Sequence, residues 1–322
     1  MKLNWSAATI SVLLSLAFTA SAAAQSSYWV RPMQEVHQDF TGLPGTIARF
    51  GDSITNSLAF FAPLEFSHQN TSAADAEALT WIQQYLPTDV WNWQISASNG
   101  AAGGTTSSWP LEPTAVPGDR NIDQWLANLN PEMAVIMWGT NELHSATPVA
   151  EYKARMREIT QTVKDNGTIP ILTTVPPRHG FTSEAALFAD AVRELALEQQ
   201  VPLIDYHAEI FSRNPGDSWD GVLVYISGSV YEVERLIAGD GVHPSNPSAY
   251  RRDFSADALD KNGFNLRNYL TLNATYEVYN DVIIAPFVAI PEPATHVLGL
   301  LAIVGLVASA RRRRPTAACG VL

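Results

Sequence analysis

Short apolar runs alternate with longer amphipathic stretches through the middle of the chain. The apolar runs are nearly continuous and bounded by turn residues, as in parallel strands that are covered on both faces. They predict strands over residues 46–50, 93–97, 133–138, 169–175 and 201–205. Apolar positions at helical spacing between and after these runs predict helices over residues 73–85, 121–129, 149–165, 183–199 and 246–259.

This alternation predicts an α/β fold with three α/β/α layers and a five-stranded, mostly parallel sheet, flavodoxin-like in form. In such sheets the ligand crevice lies beyond the carboxyl ends of the strands. Ser53 follows the first predicted strand, Gly103 the second and Asn141 the third. Residues 214–239 are rich in glycine and aromatic side chains and predict a loop or hairpin beside the crevice. Residues 271–289 alternate weakly, which leaves an added strand or a spacer open.

Both ends of the chain differ from the middle. Residues 1–24 combine Lys2, an apolar run over 7–18 and small residues before Gln25, which predicts a cleaved signal peptide. An uncleaved anchor fits less well, because that run is short for a membrane span. We therefore expect an exported domain over residues 25–290, placed in the periplasm, at the cell surface or outside the cell.

The C-terminal end carries Pro291-Glu292-Pro293, an apolar run over 294–310 and arginines at 311–314. Seventeen helical residues extend roughly 25 Å, enough to cross a thin bilayer, and the arginines would stay in the cytoplasm. The order of these features over 291–314 resembles a PEP-CTERM sorting signal, which implies an exosortase-type processing enzyme as a partner. The tail over 315–322 is longer than that signal usually carries, and a plain membrane anchor remains the alternative.

Charge and cysteine content exclude several classes of function. Without Lys2 and the four terminal arginines, 15 basic side chains stand against 32 acidic ones, which argues against nucleic acid as a partner. The one cysteine, Cys319, follows the arginines, so the exported domain has no internal disulfide. The histidines show no metal-ligand spacing, and neither a phosphate loop nor a dinucleotide fingerprint is present. We expect no metal and no cofactor.

Four polar blocks carry the candidate chemistry. They are Arg49 to Thr55, Ser98 to Thr106, Gly139 to Glu142 and Asp240 to Pro244. A serine hydroxyl needs a base within hydrogen-bond reach, and an aspartate three residues before a histidine can orient that base. A developing oxyanion needs preorganised N–H donors. Taken singly, the glycines would indicate a turn and the asparagine a helix cap.

In this order the blocks resemble the SGNH hydrolases, also called GDSL-type esterases and lipases, from about Ile47 to Tyr250. The resemblance implies a catalytic triad of Ser53, Asp240 and His243. It further implies an oxyanion hole of Ser53, Gly103 and Asn141, with Gly104 the alternative to Gly103. Glu142 replaces a common aspartate, and Ser98 stands where an asparagine often occurs.

The resemblance implies an exported serine esterase that acts through an acyl-enzyme. Family, export and aromatic content favour O-acetyl groups on polysaccharide as the substrate, with a small ester or acetylated glycan as the binding partner. The alternatives are a lipase or acyltransferase on lipid esters, and a surface-anchored carbohydrate-binding protein on an esterase-like scaffold. Trp109, Trp138 and Trp219 are candidates for lining the substrate site, with burial in the core equally open.

Overall fold

The structure is a computed structural model that describes residues 28–87 and 96–287. The predicted signal peptide, the C-terminal span over 294–310, the tail and Cys319 all lie outside the described residues. Within the described part, no helix is both long enough and apolar enough to cross a membrane. The chain divides into two compact units, Met1–Ala285 and Pro286–Leu322, and the account below concerns the first.

Four parallel strands form one sheet in the described part of the chain, in the order β1-β2-β3-β4. The strands are β1 (Ile47–Gly51), β2 (Met133–Met137), β3 (Ile169–Thr173) and β4 (Leu203–Ile204). Every residue of the first three is buried, so both faces of the sheet are covered. The nearly continuous apolar runs in the sequence reflect this double burial.

Nine α-helices surround the sheet in the residues described. One short helix, Thr140–Ser145, contains part of the third polar block. The bounds are α1 (Val30–His37), α2 (Ala73–Tyr85), α3 (Asn121–Leu129), α4 (Thr140–Ser145), α5 (Val149–Asp165), α6 (Thr182–Gln199), α7 (Tyr206–Arg213), α8 (Ala256–Lys261) and α9 (Gly263–Val278). Helix α5 packs against α3 and α6, and α9 packs against α2. A π-helix, Tyr279–Ile283, follows α9 and packs against α1.

Local capping sets several of the helix starts. Ser72 and Asp75 form a capping box at α2, in which Ser72 Oγ accepts the Asp75 N–H at 3.1 Å. The Asp75 carboxylate accepts the Ser72 N–H in return, at 2.9 Å. Asp205, Ser255 and Asn262 cap the helices that follow them in the same way, by accepting a backbone N–H from the first turn.

The predicted α/β fold with a parallel sheet between helical layers is confirmed, with four strands rather than five in the described part. Residues 93–95 of the second predicted strand lie outside it, and Ala97 begins a 3₁₀ helix, Ala97–Asn99. The chain still returns to the free side of β1, because the Gly51 N–H donates to Gly100 O at 3.0 Å. Gly51 O accepts the Ala102 N–H at 3.1 Å, so the second polar block runs beside the first.

The end of the domain differs most from the prediction. The predicted helix over 246–259 is instead a 3₁₀ turn, Ser248–Tyr250, followed by α8. The segment predicted as a strand or spacer over 271–289 belongs largely to α9 and the π-helix. Residues 214–239 form a loop with one 3₁₀ turn, Val230–Glu232.

Helix α9 has no amphipathic pattern because it is buried on most of its circumference. Its buried side chains include polar ones that are hydrogen-bonded to the rest of the domain, and they interrupt the apolar spacing on which a helix prediction depends. Asn265, Arg267 and Asn268 form such bonds, and the buried hydroxyls of Thr271 and Thr275 add two further polar positions. Its apolar anchor Leu272 is fully buried. The helix is thus part of the domain core and not a spacer.

We therefore expect Leu272→Ala to lower the free energy of unfolding by about 2–5 kcal/mol, the usual cost of removing a buried leucine. Leu270→Ala makes the same chemical change at a half-buried position two residues earlier and should cost less. Urea denaturation followed by circular dichroism measures both. Equal small losses in the two variants would mean that α9 is not integral to the core.

Candidate active site

Ser53 lies on a tight turn at the carboxyl end of β1. Asp52 builds this turn: its backbone oxygen accepts the N–H groups of Thr55 and Asn56, at 3.0 and 2.8 Å, and its Oδ1 accepts the Ile54 N–H at 3.0 Å. A Cβ on Gly51 would lie 2.3 Å from Thr55 Oγ1, so only glycine fits where the strand turns. The turn projects the half-buried Ser53 side chain away from the sheet.

His243 faces Ser53 from a loop 190 positions later in the chain. Its Nε2 lies 2.9 Å from Ser53 Oγ, and its Nδ1 lies 2.8 Å from Asp240 Oδ2. Because a carboxylate only accepts, the ring proton belongs on Nδ1, which leaves Nε2 free to accept the serine proton. Asp240 Oδ1 also accepts the backbone N–H groups of Val242 and His243, at 2.9 and 3.0 Å.

Burial acts to raise the pKa of Asp240, but the hydrogen bonds from His243 and Val242 outweigh it and hold that pKa below its usual value. Asp240 therefore stays ionised well into the acid range. An ionised Asp240 keeps the proton of His243 on Nδ1 and can stabilise an imidazolium.

The second and third polar blocks adjoin the nucleophile turn. A methyl group on Gly103 would lie 3.8 Å from Cβ of Ser53, so this glycine sits directly against the serine, while Gly104 faces open space. Asn141, in the first turn of α4, donates one hydrogen of its Nδ2 to Thr105 O at 2.7 Å. That bond fixes the plane of the amide and leaves the second hydrogen of Nδ2 for another acceptor.

Two carboxyl groups are buried beside these blocks. Burial raises the pKa of Asp52 to about 6, while the Ile54 N–H and the charge of Arg267 act to lower it. Glu142 accepts the Ser107 N–H through Oε1, which ties the third block to the loop after the second. Asp52 Oδ2 and Glu142 Oε2 are buried and have no partner among the described residues. Neither carboxyl forms a hydrogen bond with Ser53 Oγ, whose partner is His243.

Arg267 supports the nucleophile turn from helix α9. Its guanidinium is fully buried and donates to Ile54 O at 2.9 Å and to Thr55 Oγ1 at 3.0 Å. It lies 3.6 Å from the centre of the Phe60 ring. Burial lowers the pKa of Arg267 to about 10, so it still carries its charge at neutral pH. No sequence signal identified Arg267, because it lies outside all four blocks.

Two neighbouring cavities lie at the site, and one of them contains Ser53 in its wall. The serine pocket, of about 400 Å³, has Ser53 and His243 in its wall. The side pocket, of about 690 Å³, is the larger and lies next to it, because Ala59, Asn246 and Arg251 line both. The remaining wall of the serine pocket is mostly polar, with Asn56, Ser57, Ser229, Tyr231 and Glu232. The wall of the side pocket includes Leu58, Ala62, Pro63 and Phe66.

Of the two alternatives left open for the candidate tryptophans, burial in the core holds for two of the three residues. Trp138 is fully buried and donates from Nε1 to Thr105 Oγ1 at 3.2 Å, so it supports the second block from inside. Trp219 is also buried and packs edge-on against Phe211. Neither ring can contact a substrate. Trp109 is partly buried against Trp125, with ring centres 4.6 Å apart, and lies outside the walls found for the two pockets.

The described residues contain no group of three or more histidine, cysteine, aspartate or glutamate side chains that could hold a metal ion. The expected absence of a metal or cofactor stays a prediction. The geometry is instead that of an activated hydroxyl: a serine, an imidazole that can take its proton, and a carboxylate that orients the imidazole.

Two known sequence families match parts of this chain. The family described as GDSL-like Lipase/Acylhydrolase matches residues 50–248, and the PEP-CTERM protein-sorting motif matches residues 289–314. The first match begins at Phe50, within β1, and contains Ser53 and the whole of the second, third and fourth polar blocks. Among curated proteins, none matches the chain.

Several solved structures are similar in fold. The lipase/acylhydrolase from Enterococcus faecalis is 15% identical, with 73% of this chain and 95% of that one covered and a TM-score of 0.42. The psychrotrophic esterase EstA from Pseudoalteromonas sp. is 12% identical, with 73% and 99% covered and a TM-score of 0.44. A catalytic mutant of an acetylxylan esterase from Geobacillus stearothermophilus is 15% identical, with 76% and 96% covered and a TM-score of 0.40. At these values, neither activity nor substrate transfers to this chain.

The raised pKa of Asp52 predicts a stability that depends on pH. Between the unfolded pKa near 3.8 and the folded pKa of about 6, the folded protein binds a proton that the unfolded chain has lost. The free energy of unfolding therefore falls as pH rises through this window, by up to about 3 kcal/mol from this group. We expect Asp52→Asn to abolish the contribution of this carboxyl to the decrease in the free energy of unfolding.

Urea denaturation at pH 4.5, 5.5 and 7.0 compares the wild type with the variant. The exposed Asp217→Asn serves as the control and should keep the wild-type slope. Parallel pH curves for the wild type and Asp52→Asn would show that the buried carboxyl does not titrate in this window.

Proposed function

This chain belongs to the GDSL-like lipase/acylhydrolase family and is an ester hydrolase, and on that premise we propose that it works through an acyl-enzyme on Ser53. Ser53 Oγ attacks the ester carbonyl while His243 Nε2, 2.9 Å away, takes its proton. His243 then gives that proton to the leaving alcohol. Water releases the acyl group in a second step, with His243 again acting as the base.

The oxyanion of each tetrahedral intermediate needs N–H donors on the side of the turn away from His243. We assign this role to the backbone N–H groups of Ser53 and Gly103 and to the free amide hydrogen of Asn141. The contact of Gly103 with Ser53 and the fixed amide plane of Asn141 support the assignment. Donors held in place before the reaction avoid reorganisation as charge develops.

For the substrate, we propose O-acetyl groups on polysaccharide or a related carbohydrate. The observation that carries this choice is the polar wall of the serine pocket. It offers hydroxyl, amide and carboxylate groups on Asn56, Ser57, Ser229 and Glu232, which suit an alcohol rich in hydroxyls.

The side pocket favours a second candidate, an ester with a longer acyl chain, as in lipids. Its floor carries the amide of Asn268, whose oxygen accepts the Phe61 N–H at 2.7 Å and whose nitrogen donates to Ala59 O at 2.9 Å. Glu65, Arg251 and Arg252 also line the cavity, but most of its surface is apolar, so it offers a ligand mainly van der Waals contact. A hydrocarbon chain would gain from burial there.

We further propose that the protein acts outside the cytoplasm. The PEP-CTERM protein-sorting motif over 289–314 supports export toward the cell surface. Anchoring through the apolar run over 294–310 and processing by an exosortase-type enzyme remain part of this proposal.

The proposed nucleophile predicts that Ser53→Ala loses nearly all turnover of p-nitrophenyl acetate. The fold should persist, because the hydroxyl has no recorded hydrogen-bond partner besides His243. Steady-state kinetics measures the loss, and circular dichroism checks the fold. Ser218→Ala removes an exposed hydroxyl elsewhere and should leave turnover unchanged.

Labelling the wild type with a fluorophosphonate and locating the adduct by mass spectrometry tests the same assignment without a substrate. An adduct on a serine other than Ser53 would contradict it. Binding of acetylated glycan by a wild-type protein without esterase activity would instead favour the carbohydrate-binding hypothesis.

A chain-length series separates the two substrate candidates. For a deacetylase, kcat/KM on p-nitrophenyl esters should be highest for acetyl and fall toward octanoyl. For a lipid esterase, kcat/KM should rise, since each buried methylene contributes about 0.8 kcal/mol, roughly fourfold. Ala62→Trp, which fills the side pocket, should then abolish the rise, while Ala154→Trp in another surface cavity should not.

A further inference from the structure

Two adjacent residues after β3, Arg178 and His179, connect the two halves of the site. The guanidinium of Arg178 donates from Nη1 to Thr140 O at 2.6 Å. Thr140 opens helix α4 and directly precedes Asn141. The side chain of Arg178 is half-buried and its guanidinium lies over the Phe181 ring, 5.1 Å from its centre. Arg178 thus holds the peptide that carries the asparagine of the third block.

His179 holds the loop of the fourth block. Its backbone N–H donates to Gly241 O at 2.9 Å, between Asp240 and His243. Its ring Nδ1 lies 2.6 Å from Asp220 Oδ2, and Asp220 is buried. Since a carboxylate only accepts, this ring nitrogen is the donor, and the imidazole of His179 has a fixed orientation.

Asp220 also bonds to Val222, which packs against the same loop as His179. Its Oδ1 accepts the Val222 N–H at 2.9 Å, so one buried carboxylate orients both His179 and Val222. Gly241 adopts φ of +73°, and a Cβ there would lie 2.6 Å from Cβ of His179 and 2.9 Å from Cγ2 of Val222. The backbone between Asp240 and His243 is therefore packed tightly between these two side chains.

Charge reinforces the arrangement on the Arg178 side. Burial lowers the pKa of Arg178, while the charges of Asp240 and Asp52 act against that shift. Arg178 is therefore close enough to interact with the carboxylate of the triad and with the carboxyl beneath the nucleophile. It is a fixed positive charge between the polar blocks.

We infer that Arg178 and His179 are positioning residues that set the distance between the oxyanion donor Asn141 and the base His243. Arg178 acts through Thr140, and the His179 ring acts through its bond to Asp220, which fixes the backbone that holds Gly241. This inference rests on the proposed function, because it assigns the two residues to that reaction. Neither residue has a recorded contact with Ser53 Oγ. Both act through others, and small displacements of reacting groups carry large kinetic costs.

The experiment compares Arg178→Met and His179→Ala with the wild type on p-nitrophenyl acetate. Each variant should lower kcat about tenfold and change KM by less than about twofold, because a misplaced donor or base affects the transition state more than substrate binding. His179→Asn retains an N–H donor toward Asp220 and should recover most of the lost kcat. His144→Ala, an exposed histidine near the end of α4, is the matched control and should retain wild-type kcat.

Double-mutant cycles show through which residue each effect passes. In an Asn141→Ala background, Arg178→Met should cost little further, since the donor that it positions is already gone. His179→Ala should still cost about tenfold in that background, because it acts on the other side of the site. Full additivity of Arg178→Met with Asn141→Ala would overturn the inference for Arg178.

Loss of stability is excluded by recording thermal unfolding of each variant and assaying well below its Tm. Wild-type kcat in His179→Ala, or failure of His179→Asn to recover activity, would overturn the inference for His179. A wild type without esterase turnover and without a fluorophosphonate adduct on Ser53 would contradict the proposed function itself. An active, labelled wild type with unaffected variants would contradict only the positioning role.

Discussion

The hydrogen bond between Ser53 Oγ and His243 Nε2 is the contact on which the whole site depends. It joins atoms 190 positions apart, and no local element brings the two residues together. A shift of one ångström in either loop would break it. The parallel sheet meets this demand by fixing where the nucleophile turn begins, while the last two helices close the domain on the far side of the His243 loop. The geometry of the site therefore depends on the overall fold.

The polar blocks hold one another in place chiefly through backbone groups. Gly51 shares two backbone hydrogen bonds with the segment around Ala101, which brings the second block beside the first. Thr105 in turn accepts from Asn141, which joins the second block to the third. The backbone bonds between the first two blocks depend little on side-chain identity and tolerate Ser98, whereas Glu142 contributes a contact of its own by accepting the Ser107 N–H. The two departures leave the contacts between blocks intact.

The sequence was most informative where local rules decide the structure. The bounds of α2, α3 and α5 agree with their predicted ranges, because each helix has a clear amphipathic face and clear end signals. Helix α9 was missed because Arg267 and its polar neighbours are buried, and their partners are contributed by distant segments. The sequence left the tryptophans open between site and core for a related reason: Trp138 follows a strand end, as a site residue would, but its ring turns into the core. The end of a strand predicts where a residue lies in the fold, whereas the direction of its side chain depends on packing.

The buried charges beneath Ser53 show how the turn is kept rigid. Removing Asp52 and Arg267 from water is costly, and hydrogen bonds between backbone groups of Ile54 and both side chains offset part of that cost. The Ile54 N–H donates to Asp52 Oδ1, and Ile54 O accepts from Arg267. The residue after the nucleophile is thus held at both its amide and its carbonyl by buried charges that would lose hydrogen bonds if they moved. A turn fixed in this way presents the serine hydroxyl in one direction, which is what a base fixed on a separate loop requires.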